Sequence, residues 1–147
     1  EVFAALRPLL AGDAFANGGA ACCLCYGPTA SGKTHTARHV AATAAADLFA
    51  RFPGPLQVGM LELRNDQCFD LLAADPDEAK VELLEGEDGR IMERGTSTVQ
   101  VADEAAFAEV MRTFAERRAT AATAANAASS RSHAVVSMRA EGGGAPA

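Results

Sequence analysis

Gly27-Pro28-Thr29-Ala30-Ser31-Gly32-Lys33-Thr34 decides the reading of this chain, because it satisfies the pattern G-x-x-x-x-G-K-[ST] at every fixed position. Glycines in such a loop let the backbone curl so that successive N–H groups point inward at a di- or triphosphate. Lys33 supplies a point charge for the β and γ phosphates, and the Thr34 hydroxyl suits a Mg²⁺ ligand. A helix beginning at Lys33 would turn its positive dipole end toward the same anion. The apolar run Ala20-Ala21-Cys22-Cys23-Leu24-Cys25-Tyr26 predicts a strand ending at the first glycine. Strand, glycine loop and helix come in the order that phosphate binding requires. The bland alternative is a surface Gly/Ser turn.

Working outward, residues 33–51 predict a long alanine-rich helix with Val40, Leu48 and Phe49 as its larger apolar members, stopped by Pro53-Gly54-Pro55. Residues 2–12 predict an earlier helix that Pro8 must kink or divide. Residues 57–64 alternate well enough for a strand, and Asp70-Leu71-Leu72 predicts a short helical turn before Asp75-Pro76-Asp77. Residues 81–84 and 90–93 flank the turn-rich Glu85-Gly86-Glu87-Asp88-Gly89, which predicts a hairpin. Val99 and Val101 suggest one more short strand. Asp103 then caps a helix over 104–119, with Ala106, Phe107, Val110, Met111 and Phe114 on its apolar face. Ala134-Val135-Val136-Ser137-Met138 predicts a buried strand.

The chain of 147 residues, 49% of them hydrophobic, suits a single domain with a core. Aromatic residues make up only 5%, so that core must be built from many small contacts. A net charge of −6 argues against general binding to nucleic acid or to a membrane surface. No run approaches the length of a membrane-spanning helix. Cys22, Cys23, Cys25 and Cys68 show no zinc-ligand spacing, and they read as buried, reduced thiols.

A second constellation, Asn126-Ala127-Ala128-Ser129-Ser130-Arg131-Ser132-His133, lies far downstream and just before the last predicted strand. Hydrolysis needs a segment that senses the γ phosphate and positions water, and small hydroxyl residues suit that task. An arginine beside them can latch to a carboxylate elsewhere. Taken together, these stretches resemble the kinesin motor domain. Residues 26–36 are similar to its Y-G-Q-T-G-S-G-K-T-x-T loop, and residues 126–133 fit its switch I pattern N-x-x-S-S-R-S-H. Leu61-Glu62-Leu63-Arg64-Asn65-Asp66 resembles the family's L-E-I-Y-N-E, and Asp70-Leu71-Leu72 its D-L-L. Arg118 and Thr123 also stand where the family has Arg and Thr. Myosins share an N-x-x-S-S-R switch, but the Ser132-His133 ending favours kinesin.

The resemblance implies a three-layer α/β P-loop NTPase fold with a mixed central sheet, here incomplete. It implies ATP and Mg²⁺ as ligands, held by Gly27, Pro28, Thr29, Ala30, Ser31, Gly32, Lys33 and Thr34, with His35 close to the adenine. Thr34 and Ser130 would ligate the metal. Ser129, Ser130, Asn126 and Arg131 would serve catalysis, with Arg131 latched to a switch II glutamate. The implied partner is the microtubule, and the implied location is the cytoskeleton in the cytoplasm. The family's D-x-x-G switch II, its tubulin-binding helices and its opening R-x-R-P strand do not occur in these residues. Residues 1–147 are therefore expected to be part of a motor domain whose microtubule-binding half lies elsewhere, inactive as an isolated piece. Pro28 replaces the family's Gln and Ala30 its Gly, so nucleotide binding is expected to be weakened. The helix after the loop also lacks the insertion that usually interrupts it. Two alternatives stay open. One is a degenerate or truncated kinesin-like module that binds nucleotide without turnover. The other is a different P-loop enzyme, for which no N-K-x-D motif or lid is found.

Overall fold

The structure is a computed structural model that describes residues 4, 7, 8, 20–124 and 132–140. Within 20–124 and 132–140 the structure has two helices and six strands. They are α1 (Lys33–Arg51), β1 (Leu56–Arg64), β2 (Gln67–Asp70), β3 (Lys80–Glu85), β4 (Ile91–Arg94), β5 (Val99–Val101), α2 (Glu104–Ala124) and β6 (Ser132–Ala140). The chain divides into two compact units. One takes Glu1–Gln57, Val101–Ala108 and Met138–Ala147; the other takes Val58–Gln100 and Glu109–Ser137.

In the first unit, α1 has the expected bounds. Gly32 precedes it in the left-handed region, with φ 85°, and Phe52 ends it by donating its N–H to the Leu48 carbonyl at 2.9 Å. Val40, Ala44, Ala45 and Leu48 recur along one face and are buried. Each of the two larger side chains contributes about 1.5–3 kcal/mol by leaving water. Asp47 holds the last turn through Arg51, four residues on, and accepts from Arg7 Nε at 3.3 Å. Of the predicted helix over 2–12, Ala4, Arg7 and Pro8 lie among the described residues, and all three are helical.

The second unit is built around β1. The sheet order is β4-β3-β2-β1-β5, and β6 also pairs with β1. With neighbours on both edges, β1 is buried over consecutive residues, Val58 to Glu62, rather than at alternate ones. β1 and β2 form an antiparallel hairpin in which Arg64 pairs Gln67. Its two turn residues, Asn65 at φ 48° and Asp66 at φ 64°, give the pair of positive φ angles that a tight hairpin turn needs. Leu63 pairs Cys68, and Cys68 pairs Val81 on β3. These residues and Leu61 make a small apolar cluster on one face of the sheet. The predicted second hairpin is present as β3 and β4, with Leu84 opposite Met92. Gly89 turns it at φ 75° and donates to the Gly86 carbonyl at 3.0 Å.

Asp103 caps α2 as expected, accepting from the Ala106 N–H at 2.8 Å, and Phe107 and Phe114 are buried. Asp70 is fully buried at the end of β2. Its carboxylate accepts from Leu72 N at 2.9 Å and Ser97 N at 2.7 Å. The residues after it form turns rather than a helix, because their carbonyls are held from outside. Arg117 donates to those of Leu71 and Ala73, the latter at 2.8 Å.

Three further expectations are corrected. Residues 20–26 are not a strand, since among the described residues no strand pairs with them, and an extended chain without a ladder is not a sheet element. For the same reason Cys22 and Cys23 are exposed and only Cys68 is buried; all four thiols are free. The strand at 132–140 exists but is largely uncovered, with Val135 44% exposed. An apolar run predicts a tendency to bury, and pairing along one edge leaves a face open.

Candidate nucleotide site

The glycine loop lies wholly within the first unit. Gly27 sits at φ 150°, and a Cβ on it would come 2.8 Å from Ser31 Oγ, so the loop closes on itself only because that atom is missing. Gly32, at φ 85°, takes a left-handed step and hands the chain to α1 without a side-chain cap. The α1 N–H groups of the first turn have no acceptor within the helix before the Thr36 N–H, which donates to the Gly32 carbonyl at 2.9 Å. The first turn carries no acidic residue, so nothing there repels an anion.

Lys33 curls back over the loop. Its Nζ donates to the Pro28 carbonyl at 2.5 Å, and the Ser31 N–H donates to the same oxygen at 3.3 Å. The ammonium is thus held against the loop by a backbone carbonyl. Thr34, Ser31 and Thr29 are exposed. One ammonium, several hydroxyls and a helix N-terminus form a donor set suited to a triphosphate with its Mg²⁺. Ala30 stands at φ 66°, a left-handed position. That is the place where the resemblance has glycine, and an alanine there is strained.

His35 is exposed on the first turn of α1. Asn126, Ser129, Ser130 and Arg131 lie outside the described residues. The last two residues of that motif are described: Ser132 opens β6 and accepts from Arg118 Nη2 at 3.0 Å, and His133 is exposed. Among the described residues no group of three or more acidic, His or Cys side chains could hold a metal ion by itself. A single hydroxyl such as that of Thr34 could hold Mg²⁺ only together with phosphate oxygens and water.

The feature that sequence reasoning passed over is the surrounding of Glu62. This carboxylate, 3% exposed, lies between Arg118 and Arg64. The signal was present, since a glutamate inside the apolar strand Leu61-Glu62-Leu63 must find a cation if it is buried.

A glycine loop heading a helix in an α/β fold defines the phosphate-loop class, and comparison narrows it. The sequence model of the Kinesin family, described as the kinesin motor domain, matches residues 1–143. The chain is 32% identical over 123 residues to "Kinesin-like protein KIN-10C" of Oryza sativa subsp. japonica, covering 78% of this chain and 21% of that protein. It is 30% identical to "Kinesin-like protein KIN-14I" of Arabidopsis thaliana, covering 97% and 16%. The "Diatom spindle kinesin-1" of Cylindrotheca fusiformis is 34% identical over 122 residues, covering 80% and 19%. Among solved structures, a fast kinesin, studied for its ATPase mechanism and its interactions with microtubules, superposes with a TM-score of 0.68 at 24% identity. That match covers 90% of this chain and 41% of the other and bears on the fold. The chain belongs to the kinesin motor domain family. It spans between 16% and 21% of the length of the three relatives named.

Proposed function

We propose that this chain is the ATP-binding part of a kinesin-like microtubule motor that couples ATP hydrolysis to movement along microtubules. The observation that carries this reading is Lys33, at the head of α1, folded over a loop turned by Gly27 and Gly32, in a chain of the kinesin family. Residues 27–34 wrap the phosphates with backbone N–H groups, and Lys33 moves from the Pro28 carbonyl to the β and γ oxygens. The Thr34 hydroxyl and Ser130 would ligate Mg²⁺. Ser129 and Asn126 orient the attacking water, and Arg131 latches to a carboxylate outside these residues. Bound MgATP would supply the γ-phosphoryl group, and its metal would offset charge on the phosphate oxygens during transfer. His35 lies beside the adenine.

Contact with tubulin, and the switch II that completes the hydrolytic site, belong to residues beyond this chain. On this reading residues 1–147 by themselves neither turn over ATP measurably nor bind microtubules, and the protein works on the cytoskeleton. One observation favours a second reading, a module that holds nucleotide without turnover. Pro28 withholds an N–H from the loop, and Ala30 sits at φ 66° where glycine is comfortable.

The test is the affinity of the full-length protein for a fluorescent ATP analogue with Mg²⁺, against Lys33→Ala. Loss of a charge-assisted contact should weaken binding by about tenfold or more. Equal affinity in the two proteins would remove Lys33 and the loop from the site.

A further inference from the structure

Glu62 is buried near the end of β1, where a carboxylate persists only with cations against it. Arg118 Nε donates to its Oε1 at 3.2 Å, and Arg64 Nε lies 3.2 Å from Oε2. The Arg64 contact is an ion pair without hydrogen-bond alignment. Arg64 makes its directed bond to Asp77 Oδ1 at 2.9 Å and stacks 4.2 Å over the Phe69 ring. The directed link to Glu62 therefore comes from Arg118, on α2. The other arm of the same guanidinium donates to Ser132 Oγ at 3.0 Å.

Ser132 is the first residue of β6, and α2 ends at Ala124. The Arg118–Ser132 bond thus ties the helix to the strand across the connection 125–131. A planar guanidinium serves this geometry because its fork fixes two acceptors at once, whereas a lysine ammonium is a point charge on a flexible stem. Neutralising Glu62 would require only one arm. The second arm gives Ser132 a place relative to β1, and with it the point from which residues 126–131 depart.

We propose that Arg118 is a positioning residue: anchored by buried Glu62, it fixes Ser132 and so the downstream stem of the segment that carries Asn126, Ser129 and Ser130. Its consequence for nucleotide binding rests on the function proposed above; its effect on residues 126–133 does not. A connection pinned at its stem samples fewer arrangements, and groups held near their working positions bind and react better than groups that must be ordered first.

The experiment compares Ser132→Ala, Ser132→Thr and Arg118→Lys in the full-length protein by amide exchange and by affinity for a fluorescent ATP analogue with Mg²⁺. Ser132→Ala removes only the Oγ acceptor and keeps the Glu62–Arg118 pair, so the thermal midpoint should fall by only a few degrees. One lost bond to a charged donor should raise exchange across 126–133 by about tenfold and weaken MgATP by a similar factor. Ser132→Thr should restore both, and Arg118→Lys should behave like Ser132→Ala. Unchanged exchange across 126–133 in both Ser132→Ala and Arg118→Lys would overturn the tether. Absence of MgATP binding in the unmodified protein would overturn the nucleotide reading instead, and the exchange comparison would still decide the tether.

Discussion

Replacing Ala30 by glycine and Pro28 by glutamine should tighten nucleotide binding, and the gain follows from the loop's backbone. Ala30 holds φ 66°, which costs an L-residue about 1 kcal/mol relative to glycine. The strain favours loop arrangements that leave φ 66°; nucleotide must draw that population back, and affinity falls by up to about fivefold. Pro28 withholds one N–H donor; returning it offers a bond to a charged oxygen, about 1.5 kcal/mol or a further tenfold. The two positions are close enough to couple, so the double substitution should gain between about tenfold and fiftyfold. Melting temperature is the wrong assay, because the greater freedom of unfolded glycine offsets the relief of strain. Titration with a fluorescent ATP analogue at fixed Mg²⁺ is the right one. No gain in affinity from the double substitution would refute the reasoning.

Further outcomes follow from packing and charge. Glu62→Ala leaves Arg118 without its buried carboxylate and should cost about 3–5 kcal/mol, read by urea unfolding. Gly59→Ala places a Cβ 2.6 Å from Ser137 Oγ and should cost about 1–3 kcal/mol; adding Ser137→Ala removes the clashing oxygen and should recover most of it. Burial first, then the nearby Glu93 carboxylate, pushes the Cys68 thiol above its ordinary 9.0. Because the folded value is the higher, the protonated thiol favours the fold below that ordinary value, and the contribution is lost as pH rises through the folded one. Alkylation of the native protein near pH 8 should therefore label exposed Cys22 well before Cys68, with Cys68 reacting on unfolding.

The loop and its helix were legible because each boundary has a local cause: Gly32 starts α1, and the proline-glycine run after Phe52 ends it. The β3–β4 hairpin and the Asp103 cap were legible for the same reason. β2 was missed because it is four residues long and its turn is Asn65-Asp66, without the glycine that usually marks one, although both residue types tolerate positive φ. The strand expected at 20–26 failed on a non-local condition, since a strand needs a neighbour and sequence does not name it. Tyr26, 94% exposed, marks the difference. The role of Glu62 was hidden similarly: its cations come from Arg64, two residues on, and from Arg118 on a distant helix. Composition and periodicity report how a segment would like to be buried; only the assembled sheet decides what covers it.

The most direct test of the central claim is the ATPase rate of the full-length protein with and without microtubules, alongside Lys33→Ala. The account predicts turnover that rises when microtubules are added and disappears in the variant. Turnover indifferent to microtubules, or retained by Lys33→Ala, would contradict it.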